Sequence, residues 1–248
     1  MSRAEERREA RDSGGSDMTK FYMLFGAVAV IGIGVVGYNV SSGMLGDAVS
    51  TPVEVEGLDD PQRLVALAQG VEKGDPDAPL TIVEFGDFQC PACSAFATQV
   101  KPQVELAYVE TGQAKFVFYD WPIVSGHPNA FLAARAARCA EDQGMFWEYH
   151  DALFRNQPRW STEPSPAGSF EGYADDVGLD EDEFSGCLNS DKHADRVTAN
   201  MTLGQMMGVT GTPTILVNNG TDTRRAPGFD FQSIAATIDA MTNDDPGS

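Results

Sequence analysis

Glu84-Phe-Gly-Asp-Phe-Gln-Cys90-Pro-Ala-Cys93 decides how the rest of the 248-residue chain is read. It sets two thiols one helical turn apart where a strand pattern gives way to a helix pattern. Upstream, Leu80 to Phe85 is a short apolar run rich in β-branched and aromatic residues, and reads as a buried strand. Downstream, Pro91 suits the first turn of a helix, where its missing N–H costs nothing. Cys90 then falls at the N-cap and Cys93 one turn inside. Unpaired backbone N–H groups and the positive end of the helix dipole favour a thiolate at that spot. Cys90 is therefore the expected nucleophile, with a lowered pKa, and Cys93 its disulfide partner.

A Cys-x-x-Cys pair also serves as half of many zinc sites, and zinc needs two further ligands. There is no second such pair, and Cys139, Cys187, His127, His150 and His193 stand singly in the sequence. A redox pair is the better reading, with no metal and no cofactor expected. His127, His150 and His193 have no nucleophile beside them and are assigned no catalysis. The acidic cluster Asp180 to Glu183 lacks the ligand spacing of a calcium loop and reads as a helix start. With 37 acidic against 17 basic residues the formal charge is −20, a balance that repels nucleic-acid phosphates and excludes a nucleic-acid partner.

Residues 1–20 are polar and charge-balanced and read as a cytoplasmic tail. Residues 21–40 carry no charge and match the length a helix needs to cross a bilayer. Lys and Arg precede this stretch, and the next basic residue is Arg63, so the expected orientation puts the tail inside and the remainder outside. A cleaved signal peptide is the alternative, but the apolar run is long for one and no small-x-small cleavage site follows it. Residues 41–69 read as a linker with a short helix near Leu58 to Ala68, and residues 70–245 as the folded domain.

Within that domain a short pairing segment is expected near Val71. Helical spacing continues after Cys93 to Gly112, a natural helix end, and Lys115 to Trp121 is a second strand. Strand, helix and strand at this spacing predict a βαβ unit with parallel strands. From 127 to 208 the pattern is helical: Ala130 to Cys139, Met145 to Phe154, Phe170 to Val177, Glu181 to Leu188 and Lys192 to Met207. Thr214 to Asn218 and Thr223 to Ala226 flank an Asn-Asn-Gly turn suited to a hairpin, and Phe231 to Met241 is a closing helix. Cys139 and Cys187 both fall in amphipathic helical stretches, so in an exported protein they are expected to form a structural disulfide, with two buried free thiols as the alternative.

Three blocks in order, Asp77 to Cys93, Ala133 to Phe154 and Gly208-Val-Thr-Gly-Thr-Pro-Thr214, make the chain resemble the DsbA family of thioredoxin-fold thiol:disulfide oxidoreductases, in its membrane-anchored prokaryotic branch. The match covers roughly Gly74 to Met241. The resemblance implies an α/β, thioredoxin-like fold with a helical insertion at about 127–208, preceded here by one transmembrane helix. One position departs from the pattern: the best-known members carry His next to the second cysteine, where this chain has Ala92, so a weaker oxidant is expected.

The resemblance also implies a chemistry. A substrate thiolate attacks Cys90, and a second substrate thiol resolves the mixed disulfide, leaving Cys90 and Cys93 reduced. The implied partners are exported proteins with free thiols and a quinone-linked membrane reoxidant of the DsbB or VKOR type. Thr212-Pro213 corresponds to the family's cis X-Pro, which exposes backbone for an extended substrate peptide. Met206 and Met207 would line such a groove or pack in the core. Glu84 lies on the strand leading to Cys90, at the position of the family's buried acid. Covered by helices, its carboxyl is costly to ionise, which suits it to carry protons for Cys93. A reductase or isomerase kept reduced by a partner, and a binding or chaperone module, are the alternative functions.

Overall fold

The computed structural model describes residues 48–243. Its centre is the strand pair expected around the redox motif. β2 (Leu80–Gly86) runs parallel to β3 (Ala114–Asp120), with Ile82 opposite Phe116 and Glu84 opposite Phe118. β1 (Val71–Lys73) adds antiparallel to the outer edge of β3. β4 (Thr214–Asn218) pairs antiparallel with β2, and β5 (Thr223–Arg225) with β4, which gives the order β1-β3-β2-β4-β5. The β4–β5 hairpin turns at Asn219 to Asp222, where Asn219 donates its N–H to the Asp222 carbonyl at 3.2 Å. Both faces of β2 are covered, so its side chains feed two apolar clusters, Ile82 in one and Phe85 in the other.

Between β2 and β3 lies one continuous helical run, α2, built from Pro91–Ala95, Phe96–Val100, Lys101–Val104 and Glu105–Val109. Its second and fourth pieces are π-helical, and the cause of the first widening is local. Pro102 lacks an N–H and its ring crowds the preceding turn, so the ladder opens and Lys101 N–H reaches back five residues to the Phe96 carbonyl. Gly112, at φ +71, lets the chain leave the helix in the left-handed conformation.

The helical insertion comprises α3 (Ala130–Asp142), α4 (Phe146–Trp160), α5 (Ala167–Asp176), α6 (Glu181–Leu188) and α7 (Ala194–Met206). Asp180 caps α6 by accepting from Glu183 N–H at 2.9 Å. α4 runs past the expected end at Phe154 and through Pro158. The proline leaves the Phe154 carbonyl without its helical donor, and Ser94 Oγ of α2 takes that place at 3.3 Å. α8 (Phe231–Asn243) packs on β4.

Residues 48–69 contain the short helix expected near Leu58 to Ala68, but they pack on the domain in place of the expected free linker. Ala48, Val49 and Val53 pack on the main core, and Val53 N–H donates to Thr198 Oγ1 at 3.2 Å. α1 (Pro61–Leu67), capped by Asp60, buries Leu64 against Ala199 of α7. The apolar residues here are sparse, too few for a periodic signal, yet several of them pack on the folded domain, while Val65 stays 63% exposed. The expected membrane span at 21–40 lies outside the described residues. Among the described residues no helix is long and apolar enough to cross a membrane.

Cys139 and Cys187 form a disulfide that ties α3 to α6 across 48 residues of chain. Arg135, fully buried on α3, sits beside it. Its guanidinium donates to the carbonyls of Cys187, Leu188, Ser190 and Lys192 and to that of Val49, so it closes the C-terminal end of α6.

Candidate redox site

Cys90 is the N-cap of α2 and its Sγ lies 3.5 Å from the Thr212 carbonyl oxygen. The pair is in the dithiol form, with Cys90 slightly open to solvent and Cys93 fully buried. The Cys93 thiol donates to the Cys90 sulfur and is the largest influence lowering its pKa. Burial opposes it, and the Thr212 side chain and the backbone N–H groups of Cys93 and Ala92 lower it further, to about 5. Thr212 Oγ1 is buried with no hydrogen-bond partner among the described residues, so its proton is uncommitted close to the sulfur whose pKa it lowers. The Thr212–Pro213 bond is cis. Burial raises the Cys93 pKa as well, and there it prevails: with the hydrogen bond to Cys90 and the nearby Glu84 it holds the pKa well above 9.0. Asp87 N–H points at Cys93 Sγ from 3.4 Å.

Glu84 has no exposed surface, and neither carboxyl oxygen has a hydrogen-bond partner among the described residues. Burial raises its pKa to about 8, against the lowering effect of Lys101. Lys101, also buried, pairs with Glu105 at 2.8 Å and Asp151 at 3.6 Å and lies over the Trp147 ring. Gly86 keeps the space beside the carboxyl open, since a Cβ there would come within 2.4 Å of the Phe118 ring and 3.0 Å of Glu84 Oε1.

The loop before Cys90 is fixed by buried polar groups that the sequence pattern did not single out. Asp87 accepts from Gln89 N–H at 2.7 Å and Ile123 N–H at 2.8 Å, and its Oδ2 is 2.6 Å from His127 Nδ1. Gln157 of α4 donates to the carbonyls of Phe88 and Cys90 at 2.7 and 2.9 Å. Gln89 in turn reaches the Ser161 carbonyl, at 2.8 Å. Their only sequence signal is polarity inside otherwise apolar runs, which long-range pairing alone explains.

His150 is buried among Phe88, Phe118, Phe146, Trp147 and Phe154. Burial lowers its pKa to about 4 although Asp151 accepts from it at 2.9 Å, so it stays neutral at pH 7. Met206 and Met207 are 63% and 43% exposed at the end of α7, which rules out the core role open to them in sequence. The Cys139–Cys187 disulfide lies in the insertion and takes no part in the Cys90 site. One group of potential metal ligands is present among the described residues, Asp142, Cys187 and His193, and with Cys139 bonded to Cys187 these residues are gathered by the fold rather than standing singly.

A dithiol at a helix N-cap, facing a cis-proline across a mixed sheet, defines a thioredoxin-type redox protein. The thioredoxin family model matches residues 68–239. Disulfide bond formation protein D of Bacillus subtilis is 31% identical over 169 residues, covering 67% of this chain and 74% of that protein. The crystal structure of oxidised BdbD from Bacillus subtilis superposes with a TM-score of 0.63 at 28% identity, covering 80% of this chain and all of that one. The chain belongs to the DsbA-like thiol:disulfide oxidoreductases of the thioredoxin superfamily. It is also 35% identical over 167 residues to Na(+)/H(+) antiporter NhaA 1 of Salinispora arenicola, of which it spans about a quarter, 24% of the length.

Proposed function

We propose that the Cys90–Cys93 disulfide is donated, outside the cytoplasm, to thiols of exported proteins. The observation that carries this reading is the Cys90 pKa of about 5. A stabilised thiolate is a good leaving group and lowers the free energy of the reduced enzyme, and both effects favour giving the disulfide away. The name of the Bacillus relative, a disulfide bond formation protein, agrees with that direction.

In the proposed cycle a substrate thiolate attacks Cys90 Sγ, forming a substrate–Cys90 disulfide and releasing Cys93 as a thiolate. Cys93, whose pKa is held far above neutrality, takes a proton from Glu84, which is protonated at pH 7. A second substrate thiolate then attacks the substrate sulfur, and Cys90 leaves as a thiolate. Two electrons pass to the enzyme, the substrate gains one disulfide, and Glu84 regains its proton from solvent. The half-buried backbone at the cis Thr212-Pro213 bond, beside Cys90, aligns the substrate as an added strand. Reoxidation falls to a quinone-linked membrane partner of DsbB or VKOR type, and a membrane helix at 21–40 holds the enzyme beside it.

Acid quench and thiol alkylation of the chain in its source cell test the direction. Cys90 and Cys93 are expected mostly oxidised. A mostly reduced pair would sink the donor reading and favour a reductase or isomerase.

A further inference from the structure

The gathered cluster in the insertion has the make-up of a zinc site with one bond in the way. Cys139 and Asp142 lie one turn apart at the end of α3, and Cys187 and His193 come from the end of α6 and the start of α7. Asp142 Oδ2, Cys187 Sγ and His193 Nε2 lie within 4.8 Å of one another. His193 Nε2 is 2.8 Å from Oδ2, and Cys187 Sγ is 3.8 Å from it. The fourth group, Cys139 Sγ, is bonded to Cys187 Sγ. We propose that Cys139, Asp142, Cys187 and His193 form a zinc-binding site that exists only when the Cys139–Cys187 disulfide is reduced.

In the oxidised chain the sulfurs are bonded to each other, which leaves one carboxylate and one imidazole, too few to hold zinc. Reduction by a dithiol converts the disulfide into two thiols while the dithiol becomes a cyclic disulfide, a two-electron exchange. Zinc then displaces both thiol protons to solvent and is held by two thiolates, the neutral imidazole and the carboxylate. Tetrahedral bonds of about 2.3 Å to sulfur and 2.0 Å to nitrogen and oxygen put ligand atoms about 3.3 Å apart for N–O and about 3.5 Å for S–O. The present separations of 2.8 and 3.8 Å differ from these by roughly half an ångström or less. Only the sulfurs must move apart appreciably, to about 3.8 Å on the same geometry. Cys187, in the last turn of α6, allows that by side-chain rotation.

The surroundings agree. Lys192 Nζ already holds a cationic position 2.9 Å from Asp142 Oδ2, and its half-exposed side chain can swing into solvent. A site of two thiolates, one carboxylate and Zn²⁺ carries one net negative charge, which Lys192 at the rim offsets. The two ligand pairs, Cys139-x-x-Asp142 and Cys187 with His193 six residues on, are short chelates of the sort zinc modules use. Bound zinc would keep α3 and α6 tied together whenever exchange with other thiols opens the covalent link.

The test uses the full chain carrying Cys90→Ser and Cys93→Ser, which removes the other dithiol. It is titrated with zinc alone in two forms: oxidised, and reduced with a phosphine that is then removed. The reduced form is expected to bind one zinc on the order of a hundredfold tighter than the oxidised form, and Asp142→Asn or His193→Gln to weaken binding about tenfold or more. Zinc is also expected to raise the melting temperature of the reduced form and leave that of the oxidised form unchanged. Equal affinity in both forms, or indifference to both substitutions, overturns the proposal. So does binding without a rise in melting temperature, which would place the metal on unfolded chain.

Discussion

The chain holds two cysteine pairs, and their surroundings give them opposite properties. Cys90 stands at a helix start with the Cys93 thiol, the Thr212 hydroxyl and two backbone N–H groups aimed at its sulfur, and its pKa falls to about 5. Cys139 and Cys187 lie inside α3 and near the end of α6, where helix N–H groups are already committed to the ladder. Donors beside the sulfur, rather than burial, separate the two. Cys187, at 8% exposed, is no more hidden than Cys90 at 7%. A disulfide whose opening releases a stabilised thiolate is easily exchanged, whereas one without such donors serves as a cross-link.

The sharpest way to break this comparison is to remove each pair in turn. Cys90→Ser is expected to cut disulfide exchange on the order of a thousandfold or more, with little loss of stability. Replacing Cys139 and Cys187 together by alanine should do the reverse. It releases a crosslink spanning 48 residues and costs about 4 kcal/mol by loop entropy, while exchange below the melting temperature stays near wild type. Denaturant titration beside a thiol-exchange assay measures both. If the alanine pair abolished exchange in folded protein, the two regions would not be independent.

The redox half of this contrast was open to sequence reading because it is local. β-branched residues over 80–85, Pro91 at a helix start and a three-residue thiol spacing all act within one turn or one strand. Periodicity predicts the sheet and most helices, and it stops α4 short because Pro158 breaks the local rule and Ser94, distant in sequence, repairs it. Asp87, Gln89, Lys101 and Gln157 carry no local signal of their role for the same reason. Each is polar within an apolar neighbourhood, and its value lies in a partner tens of residues away, such as the Cys90 carbonyl for Gln157. The short helix near Leu58 to Ala68 is legible, but the packing of residues 48–69 is not, because a few scattered apolar contacts leave no period to detect.

Glu84→Gln sharpens the comparison by removing the titrating group nearest the buried Cys93. In the folded chain the carboxyl pKa rises from 4.5 to about 8. The folded state therefore holds a proton that the unfolded state releases. The stability tied to this is fully present below pH 4.5 and is lost as pH rises through 8. At pH 7 that loss amounts to about 3 kcal/mol, which the glutamine escapes. The variant should be more stable than wild type by a margin that widens from pH 5 to pH 8, yet exchange thiols more slowly, by up to about a hundredfold near neutral pH. A pH–rate profile matching wild type would dispose of Glu84 as proton carrier and leave it a buried acid of structural effect alone.

Thr212→Val probes the smallest difference, the single hydroxyl that the Cys90 site has beyond its own helix. Valine keeps the shape and the β-branch before Pro213, so the backbone that faces Cys90 is retained, while the donor is lost. The Cys93 thiol and the N–H groups of Ala92 and Cys93 remain, so the Cys90 pKa should rise above its value of about 5 without returning to 9.0. Because the wild-type pKa is depressed, the stability it lends the reduced fold is present in full above pH 9.0 and is lost as pH falls through about 5. In the variant the loss still begins near pH 9.0 but is complete at a higher pH and is smaller in total, so the preference for the reduced form weakens and disulfide donation slows, by less than about tenfold. Alkylation rate against pH reads the thiolate directly. An unmoved midpoint would assign the low pKa to Cys93 and the helix start alone, and Thr212 would then act only through its backbone.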